Sequence, residues 1–243
     1  MCIRDSFVLT NKAFDPCKNK ANENPNNIFT TKEFGSTSAG PEYRAKKFRA
    51  SLMGEGYRKE WIQELQVPFL DLNNTFGGLT PYATGGGLQT NSLKFTAGNG
   101  KKYAFRSINK DPVRGLDELS KQTIYKNIVK DLITTQHPYG GLVASKLLDA
   151  TDILHSQPSL YLMPADPRLK QYASTFSNLL GTLEYRPGSA KEKKDEIGNA
   201  DDIDSSNKMF RTLYKDNDNR VDPQSYSRAV SYTHLTLPTI CSV

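Results

Sequence analysis

Asn91-Ser92-Leu93-Lys94-Phe95-Thr96-Ala97-Gly98-Asn99-Gly100-Lys101-Lys102-Tyr103-Ala104-Phe105-Arg106 is the stretch on which the fold turns. Leu93 and Phe95 alternate with polar residues, and Tyr103 and Phe105 do the same. Between them lies Gly98-Asn99-Gly100, whose Asn-Gly pair supplies the positive φ angles that a tight hairpin needs. Side chains alternate across a strand. Leu93, Phe95, Tyr103 and Phe105 are therefore expected to face a core, and Lys94, Ala104 and Arg106 to share the other face.

Before the hairpin, Val67-Pro68-Phe69-Leu70-Asp71-Leu72 reads as a strand, which Pro68 places at an edge or a strand start. Asn73-Asn74 turns the chain. Gly77-Gly78 and Gly85-Gly86-Gly87 frame a glycine-rich stretch around Pro81. Gly54-Glu55-Gly56 reads as a turn, with Tyr57 to Trp61 docking on the domain. Residues 11–47 are rich in Asn, Lys, Pro, Ser, Thr and Gly. The whole of 7–47 is accordingly expected to be a disordered linker, with order beginning near Phe48.

After the hairpin, the spacing predicts a helix over Leu119–Gln136. Its apolar stripe is Ile124, Ile128 and Leu132 with Val129 and Ile133, and Asp131 borders that stripe. Asp117 or Ser120 can cap its start, and Pro138 ends it. A shorter helix fits Gly141–Ala150, a strand Ser159–Met163, a short helix Arg168–Thr175 and a strand Leu179–Tyr185. Residues 188–204 are charged and read as a flexible loop. Asn207–Lys215 reads as a helix, and Asp222-Pro223 as the start of another. The expected organisation is an α+β domain over 48–187, the loop 188–204, and a truncated helical segment over 205–229. Its sheet is expected to be twisted and antiparallel, flanked by helices.

The two ends carry a different signal. Met1-Cys2-Ile3-Arg4-Asp5 can be written ATG TGT ATA AGA GAC, and the reverse complement of that string encodes Val230-Ser231-Tyr232-Thr233-His234. This DNA element resembles the mosaic end of transposase-based sequencing libraries. Residues 1–6 and 230–243 are therefore expected to be translated adaptor scar and carry no fold argument. Removing them leaves Cys17 alone, which suggests neither a disulfide framework nor a metal site. The net charge of +6 is unchanged, because Arg4 and Asp5 cancel. With pI near 9.1 and mean hydropathy −0.60, the chain favours anionic partners in general. No apolar run approaches the ~18 residues of a membrane helix.

Several motifs fail on inspection. Gly85-Gly86-Gly87 lacks the third glycine of a dinucleotide fingerprint and the Gly-Lys-Ser/Thr of a Walker loop. It is read either as a turn between strands or as backbone amides able to hold phosphate oxygens. Asp216-Asn217-Asp218-Asn219-Arg220 begins like a calcium loop, but Val221 and Ser227 stand where glycine and a bidentate acid belong. Asn73-Asn74-Thr75 matches a glycosylation sequon, a short and common pattern. His137 and His155 have no metal-ligand neighbour at ligand spacing. No two-metal hydrolase cluster is present.

Taken together, Tyr57-Arg58-Lys59-Glu60-Trp61, Gly77-Gly78-Leu79-Thr80-Pro81 and Gly85 through Leu93 form one set of blocks. Phe105 through Pro112, His137-Pro138-Tyr139 and Asn219-Arg220-Val221-Asp222 complete it. In this order they resemble the region that follows the phosphoesterase domain in bacterial envelope proteins of the calcineurin-like metallophosphoesterase type, some of which continue into an outer-membrane barrel. The resemblance covers about residues 50–229. It implies a kinase-like small lobe: a glycine-rich hairpin, a strand carrying a basic residue, a helix bearing an acid, then two strands. On that analogy Gly85, Gly86, Gly87, Lys94 and Arg106 would contact phosphates, and Asp131 would orient Arg106. Lysine is usual where Arg106 stands, and a fixed guanidinium fork departs from it. The plain alternative is an Arg106–Asp131 ion pair with no ligand. The resemblance further implies a cell-envelope location, a nucleotide or phosphorylated small molecule as partner, and a nucleotide with Mg as cofactor of the complete protein. The fragment alone is then inactive. A non-catalytic spacer between phosphoesterase and barrel is the second reading. Nucleic-acid binding rests on charge alone and ranks last.

Overall fold

The computed structural model describes residues 6–7, 33–44, 54–85, 89–115, 124–150, 155–186, 204–228 and 230. Its strands are β1 (Ser6–Phe7), β2 (Phe34–Thr37), β3 (Leu65–Pro68), β4 (Leu79–Gly85), β5 (Thr90–Ala97), β6 (Lys102–Lys110), β7 (Ser159–Leu162), β8 (Leu180–Tyr185) and β9 (Asp204–Ser205). Its α-helices are α1 (Arg58–Ile62), α2 (Ile124–Leu132), α3 (Gly140–Leu148), α4 (Ala173–Phe176) and α5 (Ser206–Leu213).

The Leu93–Phe105 hairpin forms in the expected register, with Leu93 opposite Phe105 and Phe95 opposite Tyr103. Its turn differs in detail. Gly100 takes a left-handed φ of 78°, while Asn99 keeps a negative φ. Gly100 N donates to Ala97 O and Ala97 N to Lys101 O, both at 2.9 Å. This is a three-residue loop with a glycine bulge, which matches strand twist with one glycine in place of two positive φ angles.

Five strands pair antiparallel in the order β4-β5-β6-β8-β7. The fold is α+β. The sequence pattern did not single out β4, because Pro81 and two glycine pairs mask it. Pro81 is accommodated because β4 is an edge strand, where a missing N–H faces outward. Part of the succession expected from the sequence is present: a strand bearing Arg106, a helix bearing Asp131, then two strands.

The linker expectation is overturned in part. Within 7–47, Phe34–Thr37 pairs antiparallel with β3, and Ala39 and Tyr43 are buried. This ribbon abuts the main sheet through a parallel bridge of Phe69 to Leu162, with Leu70 N donating to Leu162 O at 2.9 Å. Polar composition hid the segment, since its order comes from pairing with a distant strand. The remainder of 8–32 and 45–53, the loop 187–203 and the tail 231–243 lie outside the described residues. So does the expected helix start at 119–123. Ser6–Phe7 pairs with β9.

One core cluster packs Leu93, Phe95, Tyr103 and Phe105 with Leu70, Leu79, Met163, Leu169, Phe176 and Leu183. The opposite side carries a second cluster of Tyr43, Trp61, Val67, Ile108, Ile133, Leu162 and Leu180. The α2 stripe is only half right. Val129 and Ile133 are buried, but Ile128 and Leu132 are 36% and 42% exposed, and Asp131 turns inward.

Asp131 turns inward because Arg58 is there. The guanidinium forks onto the carboxylate, Nη1 to Oδ1 at 3.1 Å and Nη2 to Oδ2. Both side chains are over nine-tenths buried. Nε donates to Gly54 O at 3.1 Å, and Nη1 also lies 3.4 Å from Tyr43 O. Burial, then the Glu42, Asp111 and Asp131 carboxylates, push the Tyr43 hydroxyl well above the usual tyrosine range. Around this fork, Tyr57 N donates to Thr134 O at 2.7 Å and Trp61 Nε1 to Gln136 O at 2.8 Å. Gly56, at φ +49°, comes so close that a Cβ would lie 2.5 Å from Thr134 O.

Removing one member of a buried pair leaves an uncompensated charge and costs about 3–5 kcal/mol, whereas replacing both by apolar groups costs much less. Asp131→Leu alone is therefore expected to lose about 3–5 kcal/mol in urea unfolding, and Arg58→Met with Asp131→Leu to recover most of it. Losses that simply add would show that the two side chains act separately. Gly56→Ala is expected to cost more than about 1 kcal/mol, because alanine meets both positive φ and a backbone oxygen. Asp166 caps Pro167–Tyr172, a 3-10 segment, by accepting from Arg168 N at 2.8 Å. The Arg168 side-chain hydrogen bonds, opposed by burial, hold its carboxyl below the usual range. A depressed folded pKa stabilises above the unfolded value of about 3.9 and loses that contribution as pH falls through the folded value. Asp166→Asn should flatten the acid limb of a stability–pH profile below about pH 4, relative to the parent chain.

Candidate functional site

Strand register defines a polar row on the sheet. Lys94 lies opposite Ala104, and Ala104 opposite Glu184. Ser92 lies opposite Arg106, and Arg106 opposite Thr182. Lys94 and Arg106 therefore share the non-core face of the hairpin, as its alternation requires. Ile108 continues that face from Arg106, and there the Trp61 cluster covers it. The polar row runs the other way, from Arg106, level with Ser92 and Gly85, toward the 98–100 hairpin turn.

Gly85 sits opposite Ser92 at the end of β4. A Cβ there would fall 2.7 Å from Lys94 Cε and 3.3 Å from Lys94 Nζ. The absent side chain is thus what lets Lys94 lie across the strand end. Gly86 and Gly87 lie outside the described residues.

Asp131 is not part of this row. The expectation that it orients Arg106 is corrected, since its carboxylate is held by Arg58. The acid that meets Arg106 is Glu184, on β8. Arg106 Nε donates to Glu184 Oε1, and Ser156 Oγ donates to Oε2 at 2.9 Å. The Arg106 side chain stays 41% exposed and Glu184 is 17% exposed. The signal for Glu184 was present, because Leu183-Glu184-Tyr185 alternates. Its partner could not be read without knowing that β8 pairs with β6.

Two more cations were missed. Lys102, opposite Thr96, falls on the same face by alternation. Arg186 N donates to Lys102 O at 2.8 Å, and Arg186 Nη1 to Tyr82 Oη at 3.2 Å. The row is a band of Lys94, Arg106, Lys102 and Arg186 with Glu184 as its acid.

The histidines serve structure. His137 Nδ1 accepts from Tyr139 N at 3.1 Å and packs edge-on to Tyr57. His155 is buried beside Asp149, with Nε2 to Oδ1 at 3.3 Å. A hydrogen bond from Lys146 holds the Asp149 carboxyl below its usual range. Among the described residues no three His, Cys, Asp or Glu side chains gather as a metal site. The Glu184 carboxylate beside the cations is taken by Arg106 and Ser156, so these residues do not fit a bound Mg. No helix among the described residues is long and apolar enough to cross a membrane.

No protein-family model, no curated protein and no solved structure matches the chain.

Proposed function

We propose that the polar row binds a phosphorylated small molecule or nucleotide, as a module of an envelope metallophosphoesterase-like protein. The observation that carries this reading is the crossing of Lys94 over Gly85 on the face that also presents Arg106. A strand end without a side chain at Gly85, next to two cations, gives phosphate oxygens both access and charge. The Glu184 contact holds the Arg106 fork in one pose and lowers the net charge around it. A ligand phosphate must compete with that carboxylate, so binding is weaker than four cations alone would give. The envelope location and the neighbouring phosphoesterase domain rest on the resemblance.

A second reading is that the region is a spacer. It is favoured by the same Arg106–Glu184 bond, which already satisfies Arg106 without a ligand. Titration with pyrophosphate and with ATP separates the two. A hydrogen bond to a charged group contributes about 1.5–3 kcal/mol, so Arg106→Ala should weaken binding about tenfold or more. Glu184→Gln should tighten it by removing the competing charge. Affinity that is unchanged in Arg106→Ala, or absent in the parent chain, leaves the spacer reading standing.

A further inference from the structure

At the opposite end of β5 from Gly85 lies an open cleft of about 520 Å³. Its lining includes Leu72, Leu79, Ala97 and Arg168, with Thr80 and Thr96 on the other face of the strand ends. Thr80 and Thr96 are exposed and directly opposite each other on β4 and β5. One wall is bare backbone from Gly77, Gly78 and Gly98, because the loop and the hairpin turn cross closely. A Cβ on Gly98 would lie 2.0 Å from Gly77 O. Gly98 N donates to Gly78 O at 2.8 Å, which fixes the crossing.

Arg168 is built into this cleft. Its Nε and Nη2 donate to the two oxygens of Asp166, with Nε to Oδ1 at 2.9 Å. Its Nη1 donates to Asn73 Oδ1. A guanidinium carries five N–H donors in a fixed plane. Three are used here, which leaves one N–H on each terminal nitrogen with no partner among the described residues. The side chain is one-third exposed, on the cleft side.

We infer that this cleft binds a small carboxylic acid, its carboxylate accepting the two remaining N–H groups of Arg168. Two N–H donors on adjacent nitrogens match the two oxygens of a carboxylate. The Asp166 carboxylate cancels the Arg168 charge, so the cluster suits one negative charge and disfavours phosphate dianion. Leu72, Leu79 and Ala97 beside Arg168 offer a short aliphatic body a small apolar contact. The site is separate from the polar row and does not depend on it.

The test is an NMR titration of the whole chain with N-acetyl-leucine, N-acetyl-leucinamide and inorganic phosphate. The acid is expected to give saturable shifts at Gly77, Gly78 and Gly98 with a dissociation constant on the order of millimolar, fitting one fork and a small apolar contact. The amide and phosphate should give at least tenfold weaker effects. Arg168→Lys keeps the charge but loses the fork, and should weaken the acid about tenfold. Arg106→Ala should leave the acid titration unchanged, which separates this site from the polar row. Absence of saturable shifts, or equal binding of acid and amide, overturns the proposal, and both readouts use the parent chain, so neither depends on a variant folding.

Discussion

The Arg58–Asp131 fork is the constraint on which the rest of the arrangement depends. It joins the first residue of α1 to α2, more than seventy residues later. Taking two ions out of water is costly, and their attraction recovers that cost only with good geometry and further hydrogen bonds. Gly54 O and Tyr43 O supply those bonds, and each also fixes its own segment. The fork therefore sets the roll of α2, the seat of Trp61 and the path of the chain through Tyr43. It also explains why Ile128 and Leu132 turn outward although their spacing suits a core. A helix with one buried carboxylate cannot bury its whole apolar stripe as well.

The same interaction removes Asp131 from the sheet, and this decides the chemistry of the polar row. Arg106 draws its acid from β8 in place of the helix. A carboxylate on a neighbouring strand sits at a spacing fixed by the sheet itself. An acid on a helix follows any shift of that helix. The Arg106–Glu184 pair is accordingly set by the β6–β8 register and not by the placement of α2.

Local readings carried much of the fold. The hairpin and the β7 and β8 strands were legible because alternation and turn chemistry act within a few residues. The helices 206–213 and 223–228 were legible too, the second through Asp222 as its cap, and the structure adds Ser205 as the cap of the first. Pairing across distance was not legible. Phe34–Thr37 has no pattern of its own and exists as a strand because β3 offers an edge. At the site, Lys94 and Arg106 were placed on one face by period alone, whereas Glu184 needed the β6–β8 register. Asp131 was misassigned because helical spacing shows which residues share a face but not which cation that face meets.

Pro81 gives the sheet one further property. The outermost strand of an open sheet presents a line of unused donors and acceptors, to which any extended chain can add. In β4 that line is broken, since Pro81 has no N–H and the register slips between Pro81 and Ala83. An added strand therefore cannot pair along the full length of this border. The proline that hid the strand from a reading of the sequence is also what interrupts its outer edge.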